Sequence, residues 1–127
     1  VMAEASLGAD RRPLVTKLVA VADVGRVLNP DLARQQIEGG LLHGLALATG
    51  RAIAYRKGVP QPNNFAAHGW SALGTIPEMS VELIRSSNES GGIGELALPP
   101  VAPAIANAIH AGSGVRLRDL PLGGEAE

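Results

Sequence analysis

Glycine and proline interrupt this chain so often that regular structure is confined to a few stretches between them. Sixteen glycines and nine prolines stand among 127 residues, roughly a fifth of the chain against about 12% for the two combined in average proteins. Many backbone positions must therefore turn tightly or approach another group closely. The interior has equally narrow means. Only one Trp, one Tyr and one Phe occur among 46% hydrophobic residues, so the core has to be built from Ala, Val, Leu and Ile, which pack elements close together. The length suits one domain with its core and is too short for two.

Cysteine is absent, which removes disulfides, Cys-ligated zinc, iron–sulfur clusters and a thiol nucleophile together. A redox role would need another chain to carry electrons. Lys and Arg total 11 and Asp and Glu 12, a net charge of −1, which leaves no basic excess for nucleic acid or an anionic membrane to recognise. Neither is an expected partner. The longest apolar stretch, Leu41 to Ala48, contains His43 and is far too short to span a bilayer. After Arg11-Arg12, Lys17 and Asp23 break the apolar run that a twin-arginine export signal requires. A chain opening on Val1 reads as processed, or as a fragment of something longer, and no segment in it points to a compartment.

Leu14 to Val24, LVTKLVAVADV, is rich in β-branched residues and reads as a long strand. Asn29-Pro30 then supplies an N-cap and a first helical residue for a helix through Thr49, with apolar positions at Leu32, Ala33, Ile37, Leu41, Leu42, Leu45 and Ala48 and a stop at Gly50. Gly39-Gly40 inside that helix costs about 1 kcal/mol each relative to Ala, so another backbone or a ligand is expected close by. Arg51 to Arg56 reads as a strand leading into a Lys57-Gly58 turn, and Pro60, Pro62, Asn63 and Asn64 as an irregular loop. Glu78 to Arg85 alternates, with Met79, Val81 and Leu83 on one face of a half-buried strand. Ser86 to Glu95 is a glycine-rich loop. Pro99 to Gly112 forms a second helix with Val101, Ile105, Ala108 and Ile109 on one face, ended by Gly112 or Gly114. Val115 to Leu122 is a short strand or extended tail. The order implies an α+β arrangement, a mixed sheet with two main helices packed on it.

Two segments could carry chemistry. In Gly91-Gly92-Ile93-Gly94-Glu95 the glycines remove side-chain bulk just before a carboxylate, so the backbone can lie against a ligand while Glu95 points into it. In a partly dry pocket such a carboxylate becomes a competent general base. Composition by itself favours the alternative, a surface turn with a solvated Glu. Gln35-Gln36-Ile37-Glu38-Gly39-Gly40 places amides, each with donors and an acceptor, beside glycines that permit close approach to a heterocycle edge. A solvated helix face is the competing reading. The histidines at 43, 68 and 110 have no metal-ligand spacing, so no protein-ligated metal is expected, and no serine sits in a nucleophile elbow.

Taken together, VADVGRVLNPDLARQQIEGGLLHGLALA (Val21 to Ala48) and SGGIGELALPPVAPAIANAI (Ser90 to Ile109) resemble the C-terminal part of the molybdenum-binding large subunit of the xanthine dehydrogenase and aldehyde oxidase family. The likeness points to the bacterial isoquinoline 1-oxidoreductase β-subunit branch. It extends from about Leu14 to Leu122, with Asn63 to Phe65 and Ile76 to Ile84 also in place. It implies residues 1–122 as the C-terminal segment of a molybdopterin-binding domain and 123–127 as a frayed tail. In that family molybdopterin, as such or as its cytosine dinucleotide, holds a molybdenum with oxo, sulfido and hydroxyl groups. The glutamate of the Gly-x-Gly-Glu motif is the base toward that hydroxyl, so the resemblance gives Glu95 this role. It makes Gln36 a hydrogen-bond partner of the pterin and sets Gly92 and Gly94 along the cofactor. The expected substrate is an N-heterocycle or aldehyde hydroxylated with water-derived oxygen. The expected partners are the remainder of the molybdenum subunit and a small 2Fe–2S subunit.

Leu96 stands where many family members have Pro, and Asp119 replaces a usual basic residue. Family large subunits run to several hundred residues, so a piece of this length cannot surround the cofactor. The expectation is a fragment or small split subunit of a molybdenum hydroxylase, inactive by itself and holding no cofactor alone. The alternative is a non-catalytic, stand-alone binding or interaction module that keeps the fold.

Overall fold

The computed structural model describes residues 1–64, 67 and 75–123. Phe65, His68 and residues 124–127, on which parts of the sequence reading fall, lie outside the described residues. The elements run β1 (Met2–Leu7), β2 (Pro13–Ala22), α1 (Pro30–Thr49), β3 (Ala54–Arg56), β4 (Val59–Gln61), β5 (Glu78–Leu83) and α2 (Val101–Ser113). A three-stranded sheet has the order β1-β2-β5, antiparallel between β1 and β2 and parallel between β2 and β5. The mixed sheet and two helices are the α+β arrangement that the sequence implies. Both helices lie on one sheet face, α2 across β1 and α1 against β5, and they touch each other along one side.

β2 matches the expected long strand, and one irregularity lets it serve the core along its whole length. Ala3 faces Leu18 and Glu4 faces Lys17, but Ala5 faces Val15, so Thr16 is an extra residue and the register shifts there. A bulge of this kind changes which parity points inward. Pro13 and Val15 face the helices before it, and Leu18, Ala20 and Ala22 after it, with Leu18 and Ala20 fully buried. β1 is the strand that the sequence reading lacks. Its inward residues are Ala3, Ala5 and Leu7; alanine carries little periodic signal, and the close passage of α2 over β1 favours small side chains.

α1 begins as expected. The Asn29 side chain accepts from the Leu32 N–H at 3.1 Å, with Pro30 in the first turn. Gly50 closes the helix, its N–H donating to Ala46 O at 2.9 Å. α2 ends at Gly114, whose φ of 74° puts it in the left-handed cap conformation. Ile37, Leu41, Leu45 and Ala48 of α1 meet Val101, Ile105, Ala106 and Ile109 of α2 over Leu18, Ala20 and Val24. Among the described residues no aromatic side chain takes part. The short strand or extended tail expected over 115–122 does not form: residues 115–118 have no regular structure and 119–123 bend and turn, which buries Leu122 with its N–H donating to Ala48 O at 2.6 Å.

The expected Lys57-Gly58 turn forms, with positive φ at both residues (49° and 78°), the geometry of a tight two-residue hairpin. The irregular loop expected to follow begins later than the sequence reading puts it. Val59–Gln61 pairs with Ala54–Arg56, Pro60 opposite Tyr55. A proline fits here because a two-stranded ribbon consists of edge strands alone.

An ion pair crosses the sheet. Lys17 Nζ lies 2.8 Å from Glu78 Oε1 at directly facing positions of β2 and β5. The hydrogen bond to Glu78, reinforced by its charge and that of Glu4, holds the Lys17 pKa above its ordinary value near 10.5. A pKa raised on folding adds stability below the unfolded value and loses it as pH rises through the folded one. The stability gap between wild type and Lys17→Met, small because the pair is exposed, is therefore expected to hold steady at neutral pH and to shrink above about pH 10.5. Urea melts across that range check this; a gap independent of pH would contradict it.

Candidate functional site

Glu95 sits at the end of an irregular segment fastened at both ends. Upstream, the Gly91 N–H donates to Val24 O at 2.9 Å and the Arg26 N–H donates to Asn88 O at 3.0 Å, so the segment starts against the turn after β2. Ile93 is half-buried against the core. Downstream, Glu95 O accepts from the Leu98 N–H at 3.1 Å in a turn that delivers Ala97 to the core. There α1 receives it: a Cβ on Gly40 would lie 3.1 Å from Ala97 Cβ, and one on Gly44 would lie 2.6 Å from Leu98 O and 2.8 Å from Val101 Cγ2.

The close approach expected at Gly39-Gly40 thus divides unequally. Gly40 admits the backbone at 97–98, whereas a Cβ on Gly39 would meet nothing within 4 Å. Gly44, tighter than either of these two, carries no mark in the sequence reading. The spacing Gly40-x-x-x-Gly44, one helical turn on a single face, is the signal that marks it.

Gln36 lies one turn before Gly40 on the same face of α1. Its side chain is exposed. Gly92, Gly94 and Glu95 are exposed too, and a Cβ on Gly92 or Gly94 would meet no other atom within 4 Å. Among the described residues the Glu95 carboxylate has no hydrogen-bond or ion-pair partner. The partly dry pocket considered for Glu95 is accordingly not formed by the described residues. Gly92 and Gly94 instead leave bare backbone open beside the exposed Glu95 carboxylate, and Gln36 presents its amide to solvent from α1. The Gly92–Glu95 stretch can lie along a large flat group with a carboxylate to take a proton, and an exposed amide such as that of Gln36 can donate and accept hydrogen bonds.

A cleft of about 850 Å³ lies elsewhere, at the C-terminal end of α1, lined in part by Arg12, Thr49, Arg51, Arg56 and Asp119. It holds none of the expected site residues. Thr49 is 13 positions along the helix from Gln36, about 20 Å at the rise of an α-helix. No group of three or more His, Asp or Glu side chains suited to a metal occurs among the described residues. No helix of the described residues is long and apolar enough to cross a membrane.

The chain belongs to the molybdopterin cofactor-binding domain family, whose model matches residues 12–77. Over 85% of its length it is 34% identical to the isoquinoline 1-oxidoreductase subunit beta of Brevundimonas diminuta, covering 14% of that protein. Over the same share it is 34% identical to the aldehyde oxidoreductase molybdenum-binding subunit PaoC of Escherichia coli (strain K12), covering 16% of it. Quinoline 2-oxidoreductase from Pseudomonas putida 86 has the same fold over 89% of this chain and 16% of its own, with a TM-score of 0.73 at 21% identity. The chain therefore spans about one seventh of the length of the curated relatives it matches.

Proposed function

We propose that this chain forms one wall of the molybdopterin site of a molybdenum hydroxylase and supplies its catalytic base, Glu95. The observation that carries the reading is an exposed carboxylate that, among the described residues, has no partner and follows two glycines above which those residues place nothing. Those residues fit one side of a large cofactor and do not enclose one. When bound, the cofactor supplies a molybdenum that takes electrons from the substrate as oxygen derived from water is added to it.

The chain's own residues do the rest. Gln36 offers amide donors and an acceptor to the pterin edge. The backbone at Gly92 and Gly94 lies along the cofactor, where a side chain would hold it off. Glu95 accepts a proton at a carboxylate oxygen as the attacking oxygen forms its bond to an electron-poor carbon. The names of the relatives support an N-heterocycle or aldehyde as the substrate class. We take the cofactor to be the cytosine dinucleotide form. Electrons would leave through 2Fe–2S clusters on a separate subunit, in keeping with the absence of Cys from this sequence.

The remaining walls would come from the rest of the molybdenum subunit, with residues 1–122 as its C-terminal cofactor-binding segment. It follows that the isolated chain is inactive. Purified 127-residue chain is expected to contain no molybdenum and to hydroxylate neither quinoline-type heterocycles nor aldehydes. Turnover by the isolated chain, with molybdenum measured in it, would overturn the reading.

A further inference from the structure

The segment that carries Glu95 is tied to the turn after β2 more heavily than a surface loop requires. The Asp23 side chain sets that turn, Oδ1 accepting from the Gly25 N–H at 3.0 Å, and Gly25 adopts a φ of 72°. The strap of residues 88–91 lies directly on it. The Arg26 N–H donates to Asn88 O at 3.0 Å, the Gly91 N–H donates to Val24 O at 2.9 Å, and the Ser90 hydroxyl donates to Arg26 O. A Cβ on Gly25 would stand 2.7 Å from the Glu89 carbonyl carbon and closer still to its oxygen. Both the positive φ and the lack of a side chain are thus required for the strap to lie where it does. Only Gly92, Ile93 and Gly94 separate the strap from Glu95, and on the other side Ala97 is already fixed against Gly40.

We propose that Asp23 and Gly25 are positioning residues for Glu95: they shape the seat on which the 88–91 strap rests, and so fix where the carboxylate leaves the core. The inference rests on the reading of Glu95 as the base. It adds a second requirement to that reading, because a carboxylate that follows three glycines within four residues has the reach of a base only if the chain on either side is held still.

Amide hydrogen exchange on the 127-residue chain tests the seat. In Gly25→Ala the Gly91 and Arg26 amides are expected to exchange about tenfold faster or more, while the Leu41 amide inside α1 keeps its wild-type rate. Unchanged rates at Gly91 and Arg26 would overturn the proposal. If Gly25→Ala unfolds the chain, shown by lost protection at Leu41, then Ser90→Ala decides. That variant removes one hydroxyl bond, and Gly91 exchange must rise by about threefold or more for the seat to stand. In the assembled enzyme, Asp23→Ala is expected to lower kcat about tenfold with KM and molybdenum content unchanged. Asp23→Asn, which keeps the acceptor oxygen of the turn, restores kcat. Full kcat in Asp23→Ala would overturn the positioning role. Normal turnover in Glu95→Gln would instead remove the base reading and leave the exchange result intact, so the two failures are distinguishable.

Discussion

Glu95→Gln is expected to lower turnover of the assembled molybdenum enzyme by roughly 10²-fold or more, the contribution of a positioned general base, with fold and molybdenum content retained. The structure makes this substitution unusually clean. The Glu95 side chain is exposed and has no hydrogen-bond or ion-pair partner among the described residues. Glutamine keeps its size and removes only the capacity to take a proton. Unfolding of the isolated chain should therefore change by less than about 0.5 kcal/mol, so lost turnover cannot be ascribed to lost structure. Steady-state kinetics normalised to molybdenum, beside urea melts of the same variant, measure both. Turnover within a fewfold of wild type would exclude Glu95 as the base.

Gly44→Val is expected to have the largest effect on stability. A Cβ at this position would lie 2.6 Å from Leu98 O, 2.8 Å from Val101 Cγ2 and 2.9 Å from Val101 Cβ. The first neighbour is backbone and the other two belong to a fully buried side chain, so none can swing aside. Opening the α1–α2 contact by the width of an isopropyl group is expected to cost about 3 kcal/mol or more, a fall in Tm on the order of 10 °C. Gly39→Ala, five positions earlier in the same helix, should have the opposite sign. Position 39 is exposed and a Cβ there meets nothing within 4 Å, so the helix gains about 0.5–1 kcal/mol from alanine. Thermal melts of the two variants give both signs. A neutral Gly44→Val would mean that α1 and α2 do not pack as described.

The two glycines show how far the sequence could be read. Where a local rule determined structure, it was legible: Asn29-Pro30 capped α1, Gly50 and Gly114 closed the helices, and Met79, Val81 and Leu83 gave β5 its inward face. Where the determinant was another element, it was hidden. β1 carries no clear alternation because Ala3 and Ala5 are small to suit α2 above them. The bulge at Thr16 scrambled the alternation of β2 into an apolar run. Gly39 and Gly40 look alike in sequence, yet only one faces the chain at Ala97. The candidate site was legible as residue types, a carboxylate after glycines and an amide on a helix. The anchoring of its backbone to the turn at Gly25 was not, because the two segments are more than sixty residues apart in the chain.

A structure of the complete molybdenum subunit with its cofactor bound tests the central claim most directly, through the position of the Glu95 carboxylate. We expect a carboxylate oxygen at hydrogen-bonding distance from the molybdenum's ligand sphere, about 2.6–3.2 Å or one water away, with Gly92 and Gly94 backing the cofactor. A carboxylate turned to solvent, with another side chain in that place, would contradict the account.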